Sequence, residues 1–316
     1  MKTSAFYVVS INYCKNWDWK SVQDYGTIKC KIMIGGIGLE FNFLESLLFG
    51  FAAGLTDILP VSAQAHRTIL MTIFGADGES PLLRLLTHGA ILAALYYCCQ
   101  KQIRRISRQL KLARIPKKRR KRPVDMRTLL DFKLLRTMMI PAVLGFLFYQ
   151  KAASLNGSLS WIALFALVNA VILFLPRLLP TGNKDSRSMS RVEAMLMGLG
   201  GAAGIFPGIS SMGVMTSVAS VCGAEKQYGL TISLMMNMVI TVMLVFFDFL
   251  AIVSVGIGTF SFAIFFGYLL AAGAAFAGVV LGERIMRAIA ANIGTAVFAW
   301  YSLAVAFLSF ILYLML

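Results

Sequence analysis

Asp57, Ser62 and His66 share one short, otherwise apolar stretch, Gly54-Leu55-Thr56-Asp57-Ile58-Leu59-Pro60-Val61-Ser62-Ala63-Gln64-Ala65-His66. An ionisable group in such surroundings marks a functional site by default. A carboxylate there can hold a divalent cation through oxygen, or take a proton from water. Pro60 interrupts the backbone hydrogen bonding and presets a turn. If the chain resumes as helix after it, Ser62 and His66 fall on one face, where a hydroxyl and an imidazole can converge on a phosphate. The alternative is a polar kink that satisfies its own backbone, with Arg67 marking the membrane interface. A second stretch, Gly204-Ile205-Phe206-Pro207-Gly208-Ile209-Ser210-Ser211-Met212-Gly213, sets glycines around two serines at the start of a half-helix. There the backbone N–H groups of Gly208, Ser210, Ser211 and Gly213 can face an anion; close helix packing through small residues is the competing account. Asn169 and Asn237 sit mid-span, where they can line the same cavity, though interhelical hydrogen bonds suit them better. His88, within a span, reads equally as a cavity residue or a packing residue, and Asp248 falls near the outer end of another.

The elements that carry these residues must lie in a bilayer. Of 316 residues, 58% are apolar and 14% charged, and the mean hydropathy is +0.76. Soluble domains carry about 25% charged residues, so this chain cannot coat a globule of its size with polar surface. Collagen-like, disordered and disulfide-rich secreted classes are excluded by the same composition. A spanning helix needs about 20 apolar residues, and six runs qualify: Leu82–Cys99, Leu134–Gln150, Leu159–Leu175, Gly229–Phe249, Phe260–Leu281 and Ile293–Leu314. Two more apolar stretches are broken. Phe43–Leu70 contains Asp57, Pro60 and His66; Ala194–Ala224 has no charge but seven glycines and Pro207. Irregular backbone at membrane depth is tolerated where protein buries it or where it lines a cavity. Both stretches are therefore expected to be re-entrant hairpins.

The charge excess is an orientation signal. Lys and Arg number 30 against 14 Asp and Glu, a net +16, and the stretch 101–122 alone holds twelve basic residues and no acid. No aromatic residue is interleaved with them, which argues against nucleic acid. The positive-inside rule makes 101–122 a cytoplasmic loop, close to anionic lipid. Arg177, Lys184, Arg187 and Arg191, then Arg284 and Arg287, fall on the same side if Ala194–Ala224 re-enters without crossing. Each half is then one hairpin and three spans, so the second half, 190–316, is inverted relative to the first, 43–180. Both termini lie outside, and a midplane site is expected between the hairpins. The expected fold is thus an all-α polytopic membrane protein of six spanning helices and two re-entrant hairpins, in one membrane domain over 43–316. Residues 1–42 form an extension; 1–32 lack the apolar core and cleavage site of a signal peptide. The five cysteines show neither metal-ligand spacing nor a disulfide pattern, and no nucleotide loop, zinc motif or haem attachment is present.

The two broken stretches resemble those of the bacterial undecaprenyl-diphosphate phosphatases, also called bacitracin-resistance proteins. The resemblance covers roughly residues 43–316. It is carried by Gly54-Leu55-Thr56-Asp57-x-Leu59-Pro60-Val61-Ser62 with His66, and by Pro207-Gly208-x-Ser210-x-x-Gly213. Gly89-Ala90-Ile91-Leu92-Ala93, Ile140-Pro141-Ala142-Val143-Leu144-Gly145, and Gly223-x-x-Lys226 with Ser233 add to it. The resemblance implies an inner-membrane enzyme that removes the terminal phosphate of undecaprenyl diphosphate at the outer face and so recycles the lipid carrier of wall synthesis. By the same resemblance Asp57, Ser62 and His66 are catalytic, and Asp57 is a ligand for Mg²⁺ or Ca²⁺. Arg67, Gly208, Ser210, Ser211 and Gly213 bind substrate.

Four family positions differ. The first acid of a pair four apart is Ala53, the second of two serines is Ala63, and the arginine of the second motif is Ser211, followed by Met212 in place of a serine. A planar guanidinium is the side chain best fitted to a diphosphate, and Arg67 is the one nearby cation able to replace it. Two functions therefore stay open: a divergent phosphatase, or a relative that binds or translocates a polyprenyl phosphate. The expected partners are the polyprenyl lipid and the bilayer, with a homo-oligomer left open.

Overall fold

The computed structural model describes residues 42–76, 78–156, 158–257, 261–292 and 294–315. Residues 1–41 of the expected extension 1–42, and the run starts at Phe260 and Ile293, lie outside the described residues. Within them the chain is helical: α1 Phe43–Ile58, α2 Ala63–Ile73, α3 Pro81–Arg114, α4 Met126–Gly145, α5 Tyr149–Ala153, α6 Leu159–Phe174, α7 Arg191–Ala203, α8 Ser211–Val221, α9 Lys226–Val255, α10 Phe262–Asn292 and α11 Val297–Met315. Six segments are long and apolar enough to cross a membrane: Pro81–Arg114, Met126–Ala153, Leu159–Leu178, Lys226–Val255, Phe262–Ala290 and Val297–Met315. Their outer faces leave Phe266, Leu269, Phe307 and Leu314 exposed, a surface stable against lipid and not against water.

The helix starts follow local chemistry. Asn42 and Glu45 close a capping box on α1, and Ser190 and Glu193 close one on α7, each satisfying two otherwise unpaired backbone donors. Ser62 caps α2 and Ser210 caps α8. Ser80 caps α3, with Pro81 in the first turn. The basic stretch 101–122 is not all loop. Residues 101–114 continue α3 as helix, because Arg, Lys, Gln and Leu are strong helix formers that hydropathy alone does not register. The helix stops before Pro116.

Small residues set the closest helix contacts. α1 packs most extensively on α10, where a Cβ on Gly50 would sit 1.9 Å from the Ala271 carbonyl oxygen and one on Gly54 2.0 Å from that of Ala275. On the facing helix, a Cβ on Gly278 would meet the Phe51 oxygen at 2.5 Å. Glycines four apart let two backbones touch, which is how helices associate where lipid supplies no hydrophobic drive. α7 packs on α4 through equally close contacts. A Cβ on Gly198 would lie 2.2 Å from the Met138 oxygen, and one on Gly145 2.4 Å from the Cβ of Ala202.

Candidate active site

The α1–α2 turn, Leu59–Ser62, meets the α7–α8 turn, Gly204–Ser210, and hydrogen bonds join them. The Gly208 N–H donates to Ser62 Oγ at 3.0 Å, and the same hydroxyl oxygen caps α2 by accepting from the Ala65 N–H at 3.3 Å. In return Ser210 Oγ donates to the Leu59 carbonyl at 3.3 Å and accepts from the Gly213 N–H at 3.0 Å. The Ser210 N–H donates to Asn169 Oδ1 at 3.0 Å, and Asn169 Nδ2 donates to Ser302 Oγ at 2.9 Å. Gly208 has φ +100°, and a Cβ there would lie 2.6 Å from the Ala166 nitrogen. Only glycine fits both that dihedral and that approach. Ser62, Gly208, Ser210 and Gly213 are thus the clasp that holds the two turns together.

Behind the clasp is a cavity of about 40 Å³, room for a few waters. Asp57, Arg67, Ser210 and Ser211 line it, with Gln64, His88 and Asn237. Asp57 accepts from Asn237 Nδ2 at 2.8 Å, so the asparagine serves the site. Ser211 Oγ donates to the Gly201 carbonyl at 3.0 Å, turned back into its own hairpin. Ala53 is fully buried. Gln64, Arg67 and His88 also line an adjoining chamber of about 320 Å³, together with Glu79, Arg84, Tyr149 and Asn156. Gln64 Oε1 and Asn156 Oδ1 are buried without a hydrogen-bond partner there, so the chamber offers unmatched polar atoms to a polar guest. A larger cavity, about 570 Å³ between Arg177, Lys226 and Trp300, contains none of the candidate catalytic or substrate-binding residues.

His66 is placed apart from this cavity. Its Nδ1 donates to the Ser62 carbonyl at 2.7 Å, which leaves Nε2 to accept from Tyr301 Oη at 2.7 Å, and its ring stacks on Tyr301 with centroids 5.6 Å apart. Nδ1 is engaged at the start of α2, and Nε2 with the stacked ring ties α2 to α11. Ser62, Gly208 and Gly213 are likewise absent from the cavity wall. Of the residues singled out in the sequence, Asp57, Arg67, Ser210 and Ser211 converge. Among the described residues no three His, Cys, Asp or Glu side chains converge as a metal site.

The surroundings of Arg67 were not legible in the motifs. Arg67 is 6% exposed. It donates from Nε to Glu79 Oε1 at 2.6 Å and from Nη2 to Glu79 Oε2, and Nη1 lies 2.7 Å from His88 Nε2. His88 Nδ1 is 2.5 Å from Asp248 Oδ2, and Arg84 Nε is 3.5 Å from Asp248 Oδ1. Asp248 is fully buried. His88 and Asp248 are thus joined to Arg67, where the sequence suggested a cavity or packing for one and a span end for the other. One signal was available: Arg84 and His88 fall four apart on an apolar helix, and ionisable residues in spans face partners.

These features define a polytopic helical membrane protein whose two broken-helix turns enclose a carboxylate and a buried guanidinium. The chain belongs to the family described as "Bacitracin resistance protein BacA", whose model matches residues 46–308. It is similar to proteins named undecaprenyl-diphosphatase. That of Thermosipho africanus is 27% identical over 268 residues, covering 84% of this chain and 99% of the relative. That of Methanobrevibacter smithii is 28% identical over 201 residues, covering 62% and 72%.

Proposed function

We propose that this protein is an undecaprenyl-diphosphate phosphatase, hydrolysing the terminal phosphate of a polyprenyl diphosphate. The observation that carries the proposal is the cavity in which Asp57 and Arg67 from one helix pair meet Ser210 and Ser211 from the other. The relatives are named for hydrolysis, which weighs for turnover over binding alone. Ser211 leaves the second hairpin without its cation, and Arg67 supplies one from the first hairpin to the same cavity. A guanidinium held by a buried carboxylate is stiff, and a stiff donor set favours the charge that builds on phosphate oxygens during transfer.

The step balances with this chain's own groups. Asp57 takes a proton from a water, the water oxygen bonds to the terminal phosphorus, and the bond from that phosphorus to the bridging oxygen breaks. The products are polyprenyl monophosphate and inorganic phosphate. Arg67 offsets charge on the transferred group, and Asn237 holds the carboxylate that receives the proton. With one carboxylate in the cavity, Asp57 would hold Mg²⁺ or Ca²⁺ only in company with substrate oxygens, a donor set that suits Mg²⁺; bound there, the ion would neutralise phosphate charge.

An inverted repeat supports a midplane site. Asn42 and Ser190, Glu45 and Glu193, Gly50 and Gly198, Gly54 and Ala202, and Ser62 and Ser210 pair at one constant offset along the chain. The pairing α1 on α10 corresponds to α7 on α4 when the halves exchange. In that arrangement both helix pairs are re-entrant, the 101–122 segment is cytoplasmic, and the 320 Å³ chamber opens on the opposite side. Phosphate release from undecaprenyl or farnesyl diphosphate by the purified protein tests the function, with Asp57→Asn as the expected inactive control.

A further inference from the structure

The geometry points to His88, held by Asp248, as the positioning residue for Arg67, the guanidinium that takes the place of the arginine missing at Ser211. The role rests on the Asp57–Arg67 cavity being the phosphate site. A guanidinium has five N–H donors and no acceptor. The 2.7 Å contact between Arg67 Nη1 and His88 Nε2 therefore requires Nε2 to accept, and the hydrogen of a neutral imidazole then sits on Nδ1. That is the nitrogen 2.5 Å from Asp248 Oδ2. Asp248 fixes the tautomer, and the tautomer fixes Arg67.

The chain Asp248–His88–Arg67 runs through three helices, α9, α3 and α2, with the three residues 0%, 5% and 6% exposed. Glu79 binds Nε and Nη2, and His88 binds Nη1. One N–H remains on each of Nη1 and Nη2 to donate to a phosphate oxygen. Without His88 the guanidinium keeps its counter-ion and loses one of the two groups that hold it in plane. Arg84, 3.5 Å from the other Asp248 oxygen, balances the charge of the carboxylate, so the relay itself adds no net charge to the cavity.

The amide of glutamine can place an oxygen where Nε2 lies, whereas the shorter asparagine reaches only the position of Nδ1. His88→Gln therefore keeps the acceptor for Arg67, and His88→Asn keeps only the contact to Asp248. In phosphate-release assays with farnesyl diphosphate, H88Q is expected within a fewfold of wild-type kcat/KM with the same pH limbs. H88N should fall roughly ten- to hundredfold, the loss expected for one buried hydrogen bond to a charged group. If H88Q is as impaired as H88N, His88 carries a proton and the positioning role is wrong. If H88N matches wild type, the relay has no part in turnover and the proposal is also wrong. Thermal melting of both variants in detergent separates these losses from unfolding. Asp57→Asn keeps the two levels apart: wild-type activity in D57N overturns the phosphate site itself, whereas an inactive D57N with a fully active H88N overturns the relay alone.

Discussion

At the residue scale, the proposed site draws its cation from the first hairpin. Ser211, which by the resemblance stands at the family's arginine position, bonds to Gly201, while Arg67 reaches the same cavity from α2. The two positions should therefore be exchangeable. Arg67→Gln with Glu79→Gln, which removes the buried pair together, should lower kcat/KM at least tenfold, since a charge-assisted phosphate contact is worth about 1.5–3 kcal/mol. Adding Ser211→Arg should restore part of it, read by the same phosphate assay; no recovery would mean that Ser211 does not face bound phosphate. Asp57 was recognisable in the sequence as an ionisable group in an apolar stretch, and Arg67 as the cation beside His66 able to replace the missing arginine. The His88–Asp248 link was not, because its partners lie far apart along the chain and no local spacing records a contact between α3 and α9. His66 keeps the helical spacing from Ser62 that the sequence suggested, and its Nε2 partner, Tyr301 of the last helix, was hidden because no local spacing records it.

At the element scale, close packing through small residues is the main determinant of where the turns sit. Gly54→Ala should destabilise by roughly 1–3 kcal/mol or more, the usual cost of overpacking, because its Cβ would overlap the Ala275 oxygen. Gly273→Ala on α10, whose Cβ would meet open space, should be neutral or slightly stabilising. Melting in detergent distinguishes the two. At the other end of the fold, Asp125 caps α4 and its carboxyl is held well below the ordinary range, first by the hydrogen bond from Arg105 and then by that from Thr128. A depressed carboxylate pKa stabilises the fold above its unfolded value, about 3.9, and the contribution is lost only as pH falls toward the lowered value. The melting difference between wild type and Asp125→Asn should therefore hold steady from pH 7 to about pH 5 and shrink at more acid pH. All six spans were legible because about 20 apolar residues leave few alternatives. The helical continuation of α3 to Arg114 was hidden because hydropathy marks the lipid boundary and not the end of the helix.

At the scale of the whole molecule, six apolar segments surround two short helix pairs whose turns are clasped to one another. The clasp explains how broken backbone is buried: the Gly208 N–H and the Leu59 carbonyl are satisfied across the turn pair, as burial away from water requires. The two broken stretches were visible in the sequence from Pro60, Pro207 and the glycines around them. A site between them was expected from the inverted order of the halves; the serine and glycine hydrogen bonds that clasp them were not, since neither half alone specifies them. If the cavity between the turns hydrolyses a polyprenyl diphosphate through Asp57, the purified protein must release phosphate from undecaprenyl diphosphate and D57N must not. The assay is run with and without Mg²⁺ or Ca²⁺, the two proteins side by side. Release by wild type is expected, with a loss of roughly a hundredfold or more in D57N, the scale of general-base catalysis. Equal release by the two proteins, or none from wild type under either condition, would contradict a hydrolytic role for Asp57.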